Sequence, residues 1–147
     1  AQPPISLIPS NNTTLEIFDL YKNQVPKEYI ENHENVTDMR SLISSCDIAV
    51  SAAGSTLYEI CACGVPLITF ITADNQISGA EAFEKLGLAI NCGDMREKDI
   101  GVAEMLEAIK DLSNDYHYRI QISSKMQRLI DGNGSTKIVN DLCELPE

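Results

Sequence analysis

A run of small residues before a helix start could bind an anion near the middle of the chain. Ala52, Ala53 and Gly54 carry almost no side-chain bulk, so a ligand could approach the backbone closely there. A helix that begins near Ser55 and Thr56 would present unpaired backbone N–H groups and the positive end of its dipole. Gly54, Ser55 and Thr56 therefore predict a phosphate or diphosphate site. The alternative is an ordinary strand-to-helix turn of an α/β protein, and this stretch alone leaves both open.

Glu59, three residues after Thr56, has two interpretations. The spacing is that of a capping box, in which the pair would contribute a few tenths to ~1 kcal/mol of helix stability. Alternatively, the carboxylate lies one helical turn (~5.4 Å) behind an anion site and accepts hydrogen bonds from sugar hydroxyls. A ribose beside a phosphate would occupy both positions.

Asp74, Asn75 and Gln76 form a second polar group. Asp74 is interpreted most simply as the cap of the helix that follows. Asn75 and Gln76 each carry hydrogen-bond donors and an acceptor, which suits sugars rich in hydroxyl and amide groups. A binding role for this pair is therefore a hypothesis beside the structural one.

No catalytic residue, metal site or cofactor is predicted. His33 and His117 are the only histidines, and neither belongs to an arrangement with Ser, Cys or Asp that suggests nucleophilic catalysis. Cys61 and Cys63 are two residues apart on a predicted helix, so they point to different faces and cannot chelate one ion together. The five cysteines lack a dense framework and are interpreted as reduced thiols of a cytoplasmic protein.

Length and charge narrow the class of protein. A chain of 147 residues with 44% hydrophobic residues fits one globular domain with its own core. The net charge of -11 argues against a nucleic-acid partner, which normally requires a basic face. No apolar run approaches the ~20 residues that span a bilayer, and no signal peptide stands at the start.

The hydrophobic pattern predicts strands alternating with helices. The predicted strands are residues 5–8, 29–32, 48–51, 65–71 and 88–91. The predicted helices are residues 14–22, a short one after Asp38, one from Thr56 that ends at Gly64, residues 75–86, two stretches separated by a break at 113–115, and a last one from residue 135 or 136.

This alternation predicts an α/β fold: a Rossmann-like parallel sheet flanked by helices, with a helical C-terminus. In such sheets ligands bind beyond the carboxyl ends of the strands. The loops predicted at those ends are residues 35–38, 52–56, 72–76 and 91–94, and all are polar or contain glycine. A single cleft along this edge is the predicted site.

Four segments resemble the carboxy-terminal domain of GT-B nucleotide-sugar enzymes. They are VTDM (36–39), CDIAVSAAGSTLYE (46–59), GVPLITF (64–70) and ADNQ (73–76), and DGNGSTKIV (131–139) fits the closing helix of that domain. The pattern is most similar to the UDP-sugar hydrolase family of the pseudaminic acid pathway and its relatives in spore coat polysaccharide synthesis. The UDP-N-acetylglucosamine transferase that makes peptidoglycan lipid II is a more distant relative. The resemblance covers residues 5–142.

The resemblance implies roles for the residues at the glycine turn. In such families the glycine-Ser-Thr turn holds the diphosphate of UDP, and the glutamate one turn later binds the ribose hydroxyls. These roles fall on Gly54, Ser55, Thr56 and Glu59.

The resemblance also implies contacts for two neighbouring loops. The backbone that precedes the Asp-Met helix meets the uracil ring in such families, which suggests Asn35 and Val36. The loop with Asn-Gln faces the sugar and the phosphates, which suggests Asn75 and Gln76. UDP or a UDP-sugar is thus the expected ligand.

Two features of the family pattern are absent from the sequence. Residues 1–147 contain neither the amino-terminal domain that supplies a catalytic histidine nor the first strand with its Gly-Gly-Ser-Asp-like loop. Residues 1–147 are therefore expected to be a single Rossmann-like domain, a fragment of a larger two-domain enzyme, and inactive alone. A missing edge element would expose apolar surface, with self-association as one outcome.

The predicted function is that of a UDP-sugar-binding domain of a nucleotide-sugar hydrolase in surface polysaccharide or nonulosonic acid biosynthesis. One alternative is the donor-binding domain of a GT-B glycosyltransferase. Another is a non-catalytic binding subunit that needs a partner chain. The remaining alternative is an α/β domain without nucleotide affinity.

Overall fold

The computed structural model describes residues 5–7, 30–97 and 101–144. The helix predicted at residues 14–22 lies outside the described residues. The chain divides into two compact units, Ala1–Met39 and Arg40–Glu147. In the first unit, β1 (Ile5–Leu7) and β2 (Ile30–Asn32) pair in parallel.

The second unit contains a parallel sheet and the helices that pack on it. Its strands are β3 (Ala49–Ala52), β4 (Leu67–Ile71) and β5 (Ala89–Asp94), hydrogen-bonded in that order. The helices after residue 38 are α1 (Met39–Ser44), α2 (Thr56–Cys63), α3 (Ile77–Lys85), α4 (Gly101–Asn114), α5 (Tyr116–Leu129) and α6 (Gly134–Cys143). A short 3-10 helix, Asp74–Gln76, precedes α3. The predicted α/β fold with a helical C-terminus is confirmed.

Strand β4 is the centre of the core. All five of its residues are buried, as expected for a central parallel strand covered on both faces. Thr69 is its one polar residue, and its hydroxyl donates a 2.9 Å hydrogen bond to the Ser51 carbonyl oxygen of β3. Buried polar groups need such a partner, so this bond makes Thr69 compatible with the core.

The flanking helices cover the sheet with small and branched apolar side chains. Helix α2 packs on β3, β4 and α5, whereas α4 packs on β4 and β5. The buried residues of the described helices are Ile43, Leu57, Ile60, Cys61, Ala80, Phe83, Met105, Ala108, Leu112, Ile122 and Met126. None of the helices among the described residues is long and apolar enough to cross a membrane.

Two predicted boundaries at the carboxyl edge are wrong. Residues 91–94 are strand rather than loop, because the backbone continues to pair with β4 through an irregularity between Thr69 and Ile71. Gly93, with φ 82°, supplies the left-handed conformation that this stretch requires. Helix α3 begins at Ile77 rather than at residue 75, because the preceding three residues form the 3-10 helix.

Gly64 ends α2 in the left-handed conformation (φ 72°, ψ 25°), as its position before Pro66 predicts. The Val65 N–H returns to the Ile60 carbonyl oxygen at 3.3 Å, which closes the helix end. A Cβ on Gly64 would lie 2.8 Å from atoms of the Gln127 side chain in α5. The backbone conformation therefore favours glycine here, and a Cβ would also have to displace the Gln127 side chain.

We expect Gly64→Ala to lower the free energy of unfolding by roughly 1–3 kcal/mol, because an L side chain is strained in this conformation. Urea unfolding followed by circular dichroism measures the change. Gly79→Ala in α3 is the matched control: no heavy atom lies within 4 Å of its added Cβ, and alanine raises helix stability by about 0.5–1 kcal/mol. Equal unfolding midpoints for the two variants would contradict the prediction.

Candidate functional site

In the part of the chain that the structure describes, the turn between β3 and α2 leaves two backbone N–H groups without a protein acceptor. The Gly54 N–H donates to the Ala52 carbonyl oxygen at 2.8 Å. Among the described residues, no oxygen accepts from the N–H of Ser55 or of Thr56. Residues 54–56 are exposed, and both donors lie at the N-terminus of α2, where the helix dipole favours negative charge.

Open space lies in front of Gly54. Apart from its two chain neighbours, no described residue has a heavy atom within 4 Å of the position that a Cβ on Gly54 would occupy, and its φ is not in the left-handed region. Neither packing nor backbone conformation therefore explains glycine at this position. A ligand group could occupy that space and approach the unpaired N–H groups closely.

The capping-box interpretation of Glu59 is wrong. Helix α2 begins at Thr56, so Ser55 is the N-cap residue, and its side chain makes no capping hydrogen bond. The cap therefore falls four residues before Glu59, whereas a capping box needs three. Glu59 is exposed, and its carboxylate has no hydrogen-bond partner within residues 5–7, 30–97 and 101–144. The carboxylate is available to a ligand.

Asp74 does not cap a helix, contrary to the simplest interpretation of the sequence. Ala73 is the N-cap residue of the 3-10 helix and Gln76 that of α3, and neither position has a side-chain capping bond. Instead, the Arg96 Nη1 group donates to the Asp74 Oδ1 atom at 2.7 Å. The carboxylate is thus used in an ion pair with a residue 22 positions later.

The Gln76 side chain has a defined orientation. Its Oε1 atom accepts from the Thr72 N–H at 2.8 Å and from the Thr72 hydroxyl at 3.1 Å. Because a backbone N–H can only donate, the amide oxygen must face Thr72 and the amide nitrogen must face away from it. Gln76 can therefore offer N–H donors to a ligand, while the neighbouring Asn75 is exposed and makes no side-chain hydrogen bond among the described residues.

Sheet register brings the two turns to one edge. β3 and β4 are parallel, and Ala52 lies opposite Phe70. Residues 54–56 follow β3 directly and residues 72–76 follow β4, so both leave the sheet at the carboxyl ends of adjacent strands. This edge is where parallel α/β sheets bind ligands.

Arg96 is a residue of this edge that the sequence interpretation missed. Its guanidinium bridges Asp94, at the end of β5, and Asp74. The hydrogen bonds from its side chain and backbone lower the pKa of Asp94 to about 2, and the same two carboxylates raise the pKa of Arg96. The sequence contains the Asp94-x-Arg96 spacing, which permits this ion pair. The spacing points to the edge of the sheet only once β5 is known to end at Asp94.

Asn35 and Val36 belong to the first unit and follow β2. Asn35 has a φ of 52°, in the left-handed region that asparagine adopts more readily than most residues. Val36 is half-buried. Their contact with a uracil ring stays a prediction.

The cysteines form no disulfide, and all five lie among the described residues. Burial raises the pKa of the Cys61 thiol to about 12. Burial, and then the charges of Glu104 and Glu84, raise the pKa of Cys92 to about 11. These two thiols stay protonated near neutral pH and are poor nucleophiles. No group of three or more His, Cys, Asp or Glu side chains able to hold a metal ion occurs in the described part of the chain.

The sequence of residues 9–141 matches the glycosyltransferase family 28 C-terminal domain. The chain belongs to this family. The resemblance stated from the sequence is thereby confirmed at the level of the family.

Two curated proteins are similar in sequence to this family 28 domain. One is the Helicobacter pylori pseudaminic acid cytidylyltransferase and UDP-2,4-diacetamido-2,4,6-trideoxy-beta-L-altropyranose hydrolase, 34% identical over 86 residues (57% of this chain, 17% of that protein). The other is the Bacillus subtilis spore coat polysaccharide biosynthesis protein SpsG, 26% identical over 120 residues (78% of this chain, 33% of that protein). The chain spans a third or less of the length of either relative.

A solved structure shares the fold of the family 28 domain. The glycotransferase of kitacinnamycin superposes with a TM-score of 0.68 over 97% of this chain and 43% of that chain, at 21% sequence identity. At this identity the likeness shows the fold alone.

The buried thiols predict a loss of stability at alkaline pH. In the unfolded chain a thiol loses its proton near its ordinary pKa of 9.0, whereas folded Cys61 holds its proton to about 12. Above pH 9 the unfolded state binds fewer protons than the folded state, so the free energy of unfolding falls as pH rises towards the folded pKa. We expect Cys61→Ala to reduce this slope between pH 9 and 11 in urea titrations, whatever its effect at pH 7.

Cys143→Ala is the matched control, because the Cys143 thiol is exposed and carries no cost of burying a thiolate. Its variant should keep the slope of the original chain. A Cys61→Ala slope equal to that of the original chain would show that burial of this thiol does not govern the alkaline loss.

Proposed function

We propose that this chain binds the UDP portion of a nucleotide sugar within a hydrolase of surface polysaccharide or nonulosonic acid biosynthesis. One observation carries the proposal: the two unpaired N–H groups of Ser55 and Thr56 stand at an exposed helix N-terminus beside the open space at Gly54. Family membership and the H. pylori relative, a hydrolase of a UDP-linked sugar by name, support this choice of ligand and reaction.

Each predicted residue has a role that suits its chemistry. The N–H groups of the turn and the Ser55 and Thr56 hydroxyls donate to the diphosphate oxygens. The exposed Glu59 carboxylate, one turn behind, accepts from the ribose hydroxyls. Asn75 and the outward amide nitrogen of Gln76 contact the sugar and phosphates.

The turn would assist hydrolysis by stabilising the leaving group. Cleavage between the sugar and the diphosphate places negative charge on UDP, and fixed N–H groups at a helix N-terminus stabilise such developing charge. The water would be activated by a group that this chain does not supply. We therefore propose that residues 1–147 act as the nucleotide-sugar-binding domain of a two-domain enzyme, with the catalytic residue on an amino-terminal partner domain.

A glycosyltransferase donor domain is the second candidate, and the family description favours it. It would use the same UDP site and differ in what attacks the sugar. Product analysis of the two-domain enzyme separates the two: a hydrolase releases free sugar and UDP without any acceptor, whereas a transferase releases UDP only when an acceptor is present.

UDP titration of the 147-residue chain, followed by amide NMR, tests the site. We expect shifts clustered at residues 54–59 and near Asn75, weaker with UMP and weaker still at the turn with uridine. Gly54→Ala should lower the UDP affinity by at least about tenfold, because its Cβ takes the space of the phosphate and costs a charge-assisted hydrogen bond. Its unfolding midpoint should not fall, since the added Cβ meets no atom within 4 Å.

Gly134→Ala is the matched control for this titration. Its added Cβ also meets no atom within 4 Å and its φ is also outside the left-handed region, but it begins α6. The control should bind UDP as the original chain does. A folded chain that shows no shift at residues 54–56 with millimolar UDP would overturn the proposal.

The Glu59 role is tested by removing either partner of the expected hydrogen bond. Glu59→Gln should weaken UDP binding by about tenfold, since bonds to a charged acceptor are worth roughly 1.5–3 kcal/mol and the amide retains part of them. The same substitution should have a much smaller effect on binding of 2′-deoxy-UDP, measured by calorimetry. Glu107→Gln, on an exposed position of α4, is the control. Equal losses for the two nucleotides would exclude the 2′-hydroxyl as the partner.

A further inference from the structure

Asp94 fixes the orientation of the Arg96 guanidinium. The Arg96 Nε donates to Asp94 Oδ1 at 2.9 Å, and Nη2 donates to Oδ2 at 2.5 Å, so the pairing is bidentate. The Arg96 backbone N–H also donates to Asp94 Oδ1, at 3.0 Å. Because these bonds use both edges of one carboxylate, the direction of the remaining nitrogen, Nη1, is set by the end of β5.

The remaining nitrogen connects β5 to the 3-10 helix. Arg96 Nη1 donates to Asp74 Oδ1 at 2.7 Å, and the Asp74 side chain is 87% exposed. Asp74 is the first residue of the 3-10 helix and Gln76 the last, and Gln76 is bonded to Thr72. The short helix is therefore held at both ends, by an ion pair at one and by an amide at the other.

Asn75 lies between these two fixed residues. It is exposed and makes no side-chain bond of its own within the described ranges, so its position depends on its neighbours. An exposed ion pair such as Arg96–Asp74 adds little to global stability. Its stronger effect is local, because a loop already ordered in its binding conformation loses less entropy when the ligand binds.

Two carboxylates on one guanidinium also argue against a direct phosphate contact by Arg96. Its side-chain groups Nε, Nη1 and Nη2 are all donating to Asp94 or Asp74. A diphosphate could reach only the second N–H of Nη1 and of Nη2, beside two carboxylates that repel it. Arg96 is thus arranged to position its neighbours.

We propose that Arg96 is a positioning residue that, through Asp74, holds the 3-10 helix so that Asn75 and Gln76 meet the sugar of the nucleotide sugar. This inference rests on the proposed function. It adds that the Arg96–Asp74 ion pair helps to determine how the sugar is bound. Arg96 acts through Asp74 and touches no ligand. Binding of the nucleotide sugar should therefore depend on the ion pair more than binding of UDP, which these two residues contact only at its phosphates.

The test compares UDP with UDP-N-acetylglucosamine, a probe whose sugar carries hydroxyl and amide groups. Calorimetry measures both affinities for the 147-residue chain and for Arg96→Gln, Asp74→Asn and the double variant. We expect each single variant to lose about two- to fivefold in UDP-N-acetylglucosamine affinity, the range set by an exposed ion pair, with a smaller loss in UDP affinity. The double variant should lose no more than either single variant, because both remove one interaction.

Hydrogen exchange supplies a second readout that needs no ligand. The amides of residues 72–76 should exchange faster in Arg96→Gln than in the original chain. Lys137→Gln is the matched control: it breaks another exposed ion pair, the 2.8 Å contact with Asp131 before α6. This control should change neither the exchange of residues 72–76 nor the ratio of the two affinities.

The possible failures are distinguishable. If Arg96→Gln weakens UDP as much as UDP-N-acetylglucosamine, Arg96 contacts the diphosphate, and the positioning role is wrong while the proposed function stands. An unchanged affinity ratio, or a wild-type chain that binds the two nucleotides equally, also overturns the positioning role alone. A folded chain that binds neither nucleotide overturns the proposed function and this inference with it.

Discussion

The parallel pairing of β3 with β4 is the constraint on which the candidate site depends. Because β4 is buried on both faces, its one polar residue, Thr69, donates to a β3 carbonyl oxygen and is satisfied inside the core. The polar side chains that could bind a ligand therefore lie on the turns that follow the strands and not on β4 itself. The register that sets Ala52 opposite Phe70 sends residues 54–56 and 72–76 out at the same edge. A slip of one residue would turn the faces of the strand over and shift the two turns relative to each other by about 3.3 Å.

An acidic chain can hold an anion at this edge because the attraction is local. The chain carries a net charge of -11, and Arg96 near the edge is engaged by Asp94 and Asp74. Binding of a diphosphate would therefore depend on oriented N–H groups and the α2 dipole, whose effect falls off within the first turn of the helix. Because backbone amides alone provide modest affinity, such a site favours a ligand whose other groups, besides the phosphates, also bind the protein. The Glu59 carboxylate and the Gln76 amide provide groups of that kind.

The sequence could predict the elements whose signal is local. The continuous apolar run of β4, the small residues after β3 and Gly64 at the end of α2 each depend on neighbours along the chain. The errors are tertiary: Asn91-Cys-Gly-Asp94 has the composition of a turn, and only pairing with β4 makes it a strand. Arg96 was missed for the same reason, because its partners lie at the ends of two different strands. Likewise, the sequence could name Gln76 but not its orientation, which follows from the bonds to Thr72.

The strongest argument for a ligand is that stability does not explain the residues of the turn. Gly54 is needed neither for its φ nor for packing, Ser55 stands at the N-cap without a capping bond, and Glu59 is not its capping partner. A turn that served only to join β3 to α2 would gain about 1 kcal/mol from a capping side chain and would lose nothing with alanine in place of Gly54. The turn instead leaves its donors and one carboxylate exposed. Exposed donors and a carboxylate at the edge where parallel sheets bind ligands suit a nucleotide diphosphate and its ribose as partners.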